Sequence, residues 1–181
     1  RRATGNMGTA EAGFAMLGNI TLGPGNLPLY ESDGIFKELP PALQESAFID
    51  RLHGLIEGWF MPRISRKTPS KTLGFKGDFF SEVLHELRTD LIYADYVSQS
   101  LHLPQCDDMR DTKAVARLAE GYLKLLFPDL KVSEADFIAF CVNPAVRMRQ
   151  QIRDELSKID QEYKWTTIRS QQPDEFQENH P

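Results

Sequence analysis

Two stretches of this chain read as β-strand, and two strands alone do not make a stable parallel sheet. Residues 13–18 (GFAMLG) form a nearly all-apolar run bounded by glycine, the pattern of a strand buried on both faces. Residues 52–56 (LHGLI) return to an extended pattern after a helical stretch. Beyond residue 78 the spacing is helical. The expected fold class is mostly α with a small α/β part, the remainder of the sheet lying in chain not present here. The first residue is Arg rather than Met, which fits a piece of something longer.

Composition narrows the function classes. A length of 181 residues allows one domain, or a small domain with an appendage, and can bury a core without disulfides or structural metal. Charged residues at 26% exclude wholesale disorder. A net charge of −5 excludes a bulk nucleic-acid coat but leaves room for a local basic patch. Cys106 and Cys141 lie far apart, without metal-ligand spacing, and read as core fillers in a reducing compartment. No apolar run approaches the ~20 residues that cross a bilayer, and no signal peptide is evident, so a cytoplasmic location without membrane contact is expected.

Residues 21–34 are dense in Gly, Pro, Asn and Asp and predict a long loop. Residues 40–51 predict a short helix with Pro41 in its first turn. Residues 57–78 read as a linker that holds Pro62, Pro69, Gly74 and Gly77. Asp78 is the expected N-cap of a helix presenting Phe80, Val83, Leu84, Leu87 and Leu91 on one face. A second helix is expected from about Asp111 to Phe127, stopped by Pro128. Ser133 and Asp136 resemble a capping box. Asn143-Pro144 reads as an N-cap and first-turn proline opening a charged helix to about Tyr163.

The enzyme motifs G-x-x-x-x-G-K-[ST], G-x-S-x-G, H-E-x-x-H and C-x-x-C are missing from the sequence. The four histidines, His53, His85, His102 and His180, are scattered and read as structural or surface residues. Three polar residues at element ends remain. Asn19 follows the first apolar run, where its amide would meet a water or phosphate oxygen at the sheet edge, or simply form a turn. Arg51 ends the first helix, as an arginine finger toward a neighbouring subunit's γ-phosphate or as a cation complementing the helix dipole. Arg110 stands just before a helix, an odd place for a cation. It either binds phosphate there or pairs with Asp107, Asp108 or Asp111.

With these residues in this order, the sequence resembles the second half of an AAA+ ATPase module. More specifically it is similar to the Lon-like AAA+ ATPase of bacteriophage-exclusion (BREX) defence systems, whose motor is similar to minichromosome-maintenance helicases. The resemblance is carried by GFAMLGNI at 13–20, LPPALQESAFIDRLHGLIEGWFMPRI at 39–64, FFSEVLHELR at 79–88 and MRDTKAVARLAEGYLKLLFPD at 109–129, and RMRQQIRDEL at 147–156 extends it. The resemblance implies that Asn19 is the sensor-1 residue, Arg51 the arginine finger acting across a ring interface, and Arg110 the nucleotide-binding sensor-2 arginine, in cis or in trans. It implies a homo-oligomeric ring and, in the longer parent, ATP and Mg²⁺, with none expected on this piece alone. It divides the chain into the end of the α/β core (1–62), a linker (63–78), a helical lid (79–165) and a disordered tail (166–181).

The phosphate-binding loop is expected upstream and the Lon-type Ser–Lys dyad downstream, so this piece by itself is expected to be inactive. The basic residues Arg63, Arg66, Lys67 and Lys71 form either a contact to DNA threaded through the ring or a solvated connector. Arg147, Arg149 and Arg153, among Asp154, Glu155 and Asp160, read as a solvent-facing ion-paired helix. Trp59 and Phe60 are expected to pack the linker against the sheet edge. The parent is expected to be an ATP-driven motor or protease acting on DNA or protein. The alternative is a non-enzymatic helical DNA- or protein-binding module.

Overall fold

The computed structural model describes residues 13–29, 32–104, 106 and 108–170. The fold is mostly α, as expected. Its helices are α1 (Ser46–Ile49), α2 (Gly77–Thr89), α3 (Ile92–Ser100), α4 (Met109–Leu126), α5 (Glu134–Phe137) and α6 (Asn143–Ile159). Among the described residues no helix is long and apolar enough to cross a membrane.

Neither expected strand forms. The β pairing among the described residues is one antiparallel bridge between Leu22 and Pro28, closing the turn at Pro24–Asn26. Among the described residues no strand lies beside residues 13–18 to supply hydrogen bonds, and Phe14 and Leu17 stay exposed. Residues 52–56 find their backbone partners on α6 instead. Leu55 N donates to Met148 O at 3.3 Å, and the Leu52 carbonyl accepts from Arg149 Nη1 at 2.6 Å. Helical side and main chain thus do for this segment what a sheet neighbour would do.

The helix expected over residues 40–51 is broken into a 3₁₀ turn, Pro41–Leu43, and the four-residue α1. Gln44 folds its amide back onto the Lys37 and Leu39 carbonyls, at 3.1 and 2.5 Å, and Glu45 is extended between the two pieces. The N-cap of α2 is Lys76. Asp78 sits one residue inside, in the first turn, where its charge complements the helix dipole. Asp90 stops α2, because its Oδ1 accepts from Ile92 N at 3.0 Å and starts α3 as a separate helix that the spacing did not reveal.

Asp108 caps α4 by accepting from Arg110 N at 2.7 Å, and α4 ends before Pro128 as expected. Ser133 forms the expected capping box with Asp136: its Oγ accepts from Asp136 N at 3.1 Å and donates to Asp136 Oδ2 at 2.8 Å. Pro144 stands in the first turn of α6, as expected, but Asn143 is itself helical rather than the N-cap. A π turn at Ile138–Val142 joins α5 directly to α6. The widened turn accommodates a proline whose missing N–H would break a regular helix.

Two cores share α6. The larger packs Tyr93 and Val97 of α3 against Val115, Ala119 and Leu123 of α4, with Phe137, Cys141 and Ala145. The smaller packs Ile35, Phe36 and Ile49 against Ile152 and Leu156, with Trp59 partly buried beside them. Trp59 therefore packs on the α6 side rather than on a sheet edge. Ala145, Arg149, Ile152 and Leu156 are spaced by four, three and four residues, so one face of α6 runs from one core to the other. In the tail, Ile168 is buried and its N–H donates to Gln150 Oε1 at 2.8 Å, so residues up to 170 lie along α6. Residues 171–181, including His180, lie outside the described residues.

Candidate functional site

Arg149 stands at the seam between the two cores, and its side chain is fully buried. The reading of this helix as solvent-facing holds for Arg147 and fails for Arg149, for Arg153, whose side chain is 11% exposed, and for the buried Glu155. Its position on the apolar stripe of α6, four residues after Ala145 and three before Ile152, is the signal that sequence reasoning passed over. A buried guanidinium must have its donors satisfied. Nε donates to Asp111 Oδ1 at 2.6 Å and Nη2 to Asp50 Oδ1 at 2.9 Å. Nη1 donates to two backbone carbonyls, Asp50 O at 3.0 Å and Leu52 O at 2.6 Å.

Asp50 is the second buried member. It follows α1 directly, and its side chain is excluded from solvent. Its Oδ2 accepts from Arg110 Nη1 and from Tyr163 OH, the latter at 3.3 Å. Desolvation pushes the Asp50 carboxyl up, but hydrogen bonds from Arg149 and Arg110 and the charges behind them outweigh it. The group titrates below its ordinary value. Asp111 goes the other way. Burial dominates there and raises its carboxyl despite Arg149 and Arg153. Among the described residues Asp111 Oδ2 has no hydrogen-bond partner. The nearest cation, Arg153 Nε, is 3.4 Å away, and Arg153 Nη1 is 3.5 Å from Asp108 Oδ2.

The expected site residues fall out unequally. Arg110 sits in the first turn of α4 with its side chain 55% exposed, and its carboxylate partner is Asp50. Asp108 reaches only the Arg110 backbone N–H, Asp111 faces Arg149 and Arg153, and Asp107 lies outside the described residues. Hydrogen bonding to Asp50 pushes the Arg110 guanidinium still further up. Arg51 is exposed and donates from Nη1 to the Ala47 carbonyl four residues back, the behaviour of a cation on a helix C-terminus. Arg110 binds the Asp50 carboxylate, and Arg51 is the next residue after Asp50 in the chain, with its own side chain turned back to Ala47. Asn19 is not drawn in. It is exposed, and among the described residues no hydrogen bond joins it to either arginine. Arg63, Arg66, Lys67 and Lys71 are all exposed along the irregular segment before α2.

A family model for the Lon-like protease BrxL-like ATPase domain matches residues 1–169, which include every member of this cluster. The chain belongs to that family. It is similar to the Lon-like protease BrxL of Escherichia coli O9:H4 (strain HS), 28% identical over 149 residues, which cover 82% of this chain and 21% of that protein. It is also similar to the Lon-like protease BrxL of Bacillus cereus (strain H3081.97), 28% identical over 151 residues, 83% of this chain and 22% of the other. The chain thus spans about a fifth of the length of the curated BrxL relatives it matches.

Proposed function

We propose that this chain supplies the arginines that complete an ATP-hydrolysing site in a ring-forming, Lon-like AAA+ protein of phage defence. The observation that carries the reading is that the half-exposed Arg110 is bound to the Asp50 carboxylate, and Asp50 is the residue directly before the exposed Arg51. Two exposed cations linked through one buried residue suit a polyanion. Both are proposed to address ATP, Arg51 from across the ring interface and Arg110 as the nucleotide-binding sensor arginine.

These residues fit the phosphate end of ATP. They do not fit Mg²⁺, for which the described residues offer no group of three or more acidic, His or Cys side chains. Bound elsewhere in the protein, Mg²⁺ would neutralise charge on the β- and γ-phosphates. The arginines would stabilise the charge that builds on the transferring phosphoryl oxygens. To do so Arg51 must leave the Ala47 carbonyl, and Arg110 must exchange Asp50 for phosphate. The basic residues Arg63, Arg66, Lys67 and Lys71 are proposed as a DNA contact, which would weaken steeply as salt rises. DNA and polypeptide both remain proposed substrates.

The test is ATP turnover by the complete gene product, with and without duplex DNA. Arg51→Ala is expected to lower turnover by about 10³–10⁵-fold, the span of an arginine finger, with nucleotide binding retained. Wild-type turnover in that variant removes Arg51 from the mechanism. Arg110→Ala is expected to weaken the response to nucleotide, and an unchanged response leaves the Asp50 pair as the whole role of Arg110. A second reading, a non-enzymatic module that docks DNA or protein, is favoured by the open apolar face of α2, where Phe79, Phe80, Val83 and Leu84 are exposed. Absence of ATP hydrolysis in the complete protein selects that reading.

A further inference from the structure

A finger that stabilises a transition state must be aimed before the reaction, yet Arg51 is exposed and lies in a turn only a few residues long. Its backbone is nevertheless pinned on both sides. The carbonyls of Asp50 and Leu52 converge on one nitrogen, Nη1 of Arg149, at 3.0 and 2.6 Å. Arg149 is in turn fixed by Asp111, at 2.6 Å from Nε, and that carboxylate belongs to the same first turn of α4 as Arg110. The Asp50 carboxylate closes the loop, with Arg149 on one oxygen and Arg110 and Tyr163 on the other.

A buried ion network of this kind gives little or no stability over apolar residues of the same size. What it secures is geometry. The exposure is also divided in a telling way: Arg110 is 55% exposed, whereas Asp50 and Arg149 are fully buried. When Arg110 leaves, Asp50 keeps Arg149 and Tyr163, so the carboxylate is not stranded.

We propose that Arg149 and Asp50 are positioning residues of the hydrolytic site. Arg149 holds the backbone on either side of Arg51. Asp50 couples Arg51 to Arg110, so that phosphate capture by Arg110 changes the setting of Arg51. This rests on the reading of the site as an ATPase site. Neither residue touches nucleotide, and both act through the two arginines.

The experiment is steady-state ATP hydrolysis by the complete protein, with kcat and KM read separately. Arg149→Ala removes a buried charge and is expected to unfold, so the informative variants are Asp50→Asn and Arg149→Lys. Asp50→Asn keeps an acceptor for Arg149 and loses the charge facing Arg110. Arg149→Lys keeps the charge and loses the fork that joins the two carbonyls to the Asp50 and Asp111 carboxylates. Each is expected to lower kcat by about 10- to 100-fold, the range for groups that orient a reacting residue, with KM changed by less than about threefold. Combining Asp50→Asn with Arg51→Ala should cost no more than Arg51→Ala alone. Multiplied losses in the double variant, or wild-type kcat in both single variants, overturn the positioning role. A wild-type protein that turns over no ATP defeats the ATPase reading itself, and the positioning role with it. A wild-type protein that hydrolyses ATP while the variants behave independently defeats this inference alone.

Discussion

Replacing Arg149 with methionine keeps most of the side-chain volume and deletes the charge at the seam of the two cores. Four hydrogen bonds go. Asp50 retains Arg110 and Tyr163, but Asp111 is left buried, with Arg153 as its nearest cation at 3.4 Å. The carbonyls of Asp50 and Leu52 lose their Arg149 partner at the same time. Removing one member of a buried pair costs about 3–5 kcal/mol, and each carbonyl stripped of its donor about 1–3 kcal/mol. These losses overlap because one network carries them all. A net loss of about 3–5 kcal/mol is therefore expected. At roughly 2–4 °C per kcal/mol for a chain of this size, the melting temperature should fall by about 6–20 °C. Thermal unfolding followed by circular dichroism measures it. The companion Arg149→Met/Asp111→Leu should recover part of the loss, since it removes the stranded carboxylate. A single variant that loses less than about 1 kcal/mol, the worth of an exposed pair, would refute the account of Arg149 as a compensated buried charge.

The two carboxylates predict opposite pH behaviour. Asp50 titrates below its ordinary value in the folded chain, so its stabilisation is complete above the unfolded pKa of about 3.9 and is lost as pH falls through the lower folded value. Asp50→Asn should flatten that acid limb in Tm-against-pH curves. Asp111 titrates above its ordinary value, so its charged form costs stability at neutral pH, and that cost is relieved as pH falls through the raised value toward the unfolded one. Asp111→Asn should lose that gain in the same curves. A β-carbon at Gly54 would lie 2.7 Å from Met148 Cβ, so Gly54→Ala should destabilise by about 1–3 kcal/mol in denaturant titration and loosen residues 52–55 from α6. Burial pushes the Cys141 thiol up to about 11, so at pH 8 an alkylating reagent followed by mass spectrometry should label Cys106 and spare Cys141.

Much of the helical part was legible in the residues alone. Val115, Ala119 and Leu123 recur at helical spacing, Pro128 ends α4, and Ser133 with Asp136 caps α5, because each of these signals acts within a turn or two of chain. Arg51 and Arg110 were also visible as cations at element ends. The partner of Arg110 was not, since Asp50 lies 60 residues away and local sequence carries no trace of such a contact.

The amino-acid order by itself determined the span of α4 to within two residues, the cap that opens α5, and that Arg51 and Arg110 stand at element ends. Only the tertiary structure decided that residues 13–18 and 52–56 form no strand, because a strand exists only when another supplies its hydrogen bonds. It also decided that Arg149 is buried rather than solvated. A guanidinium on an apolar stripe can go inside only if distant chain brings carboxylates and carbonyls to meet it, here from Asp50, Leu52 and Asp111.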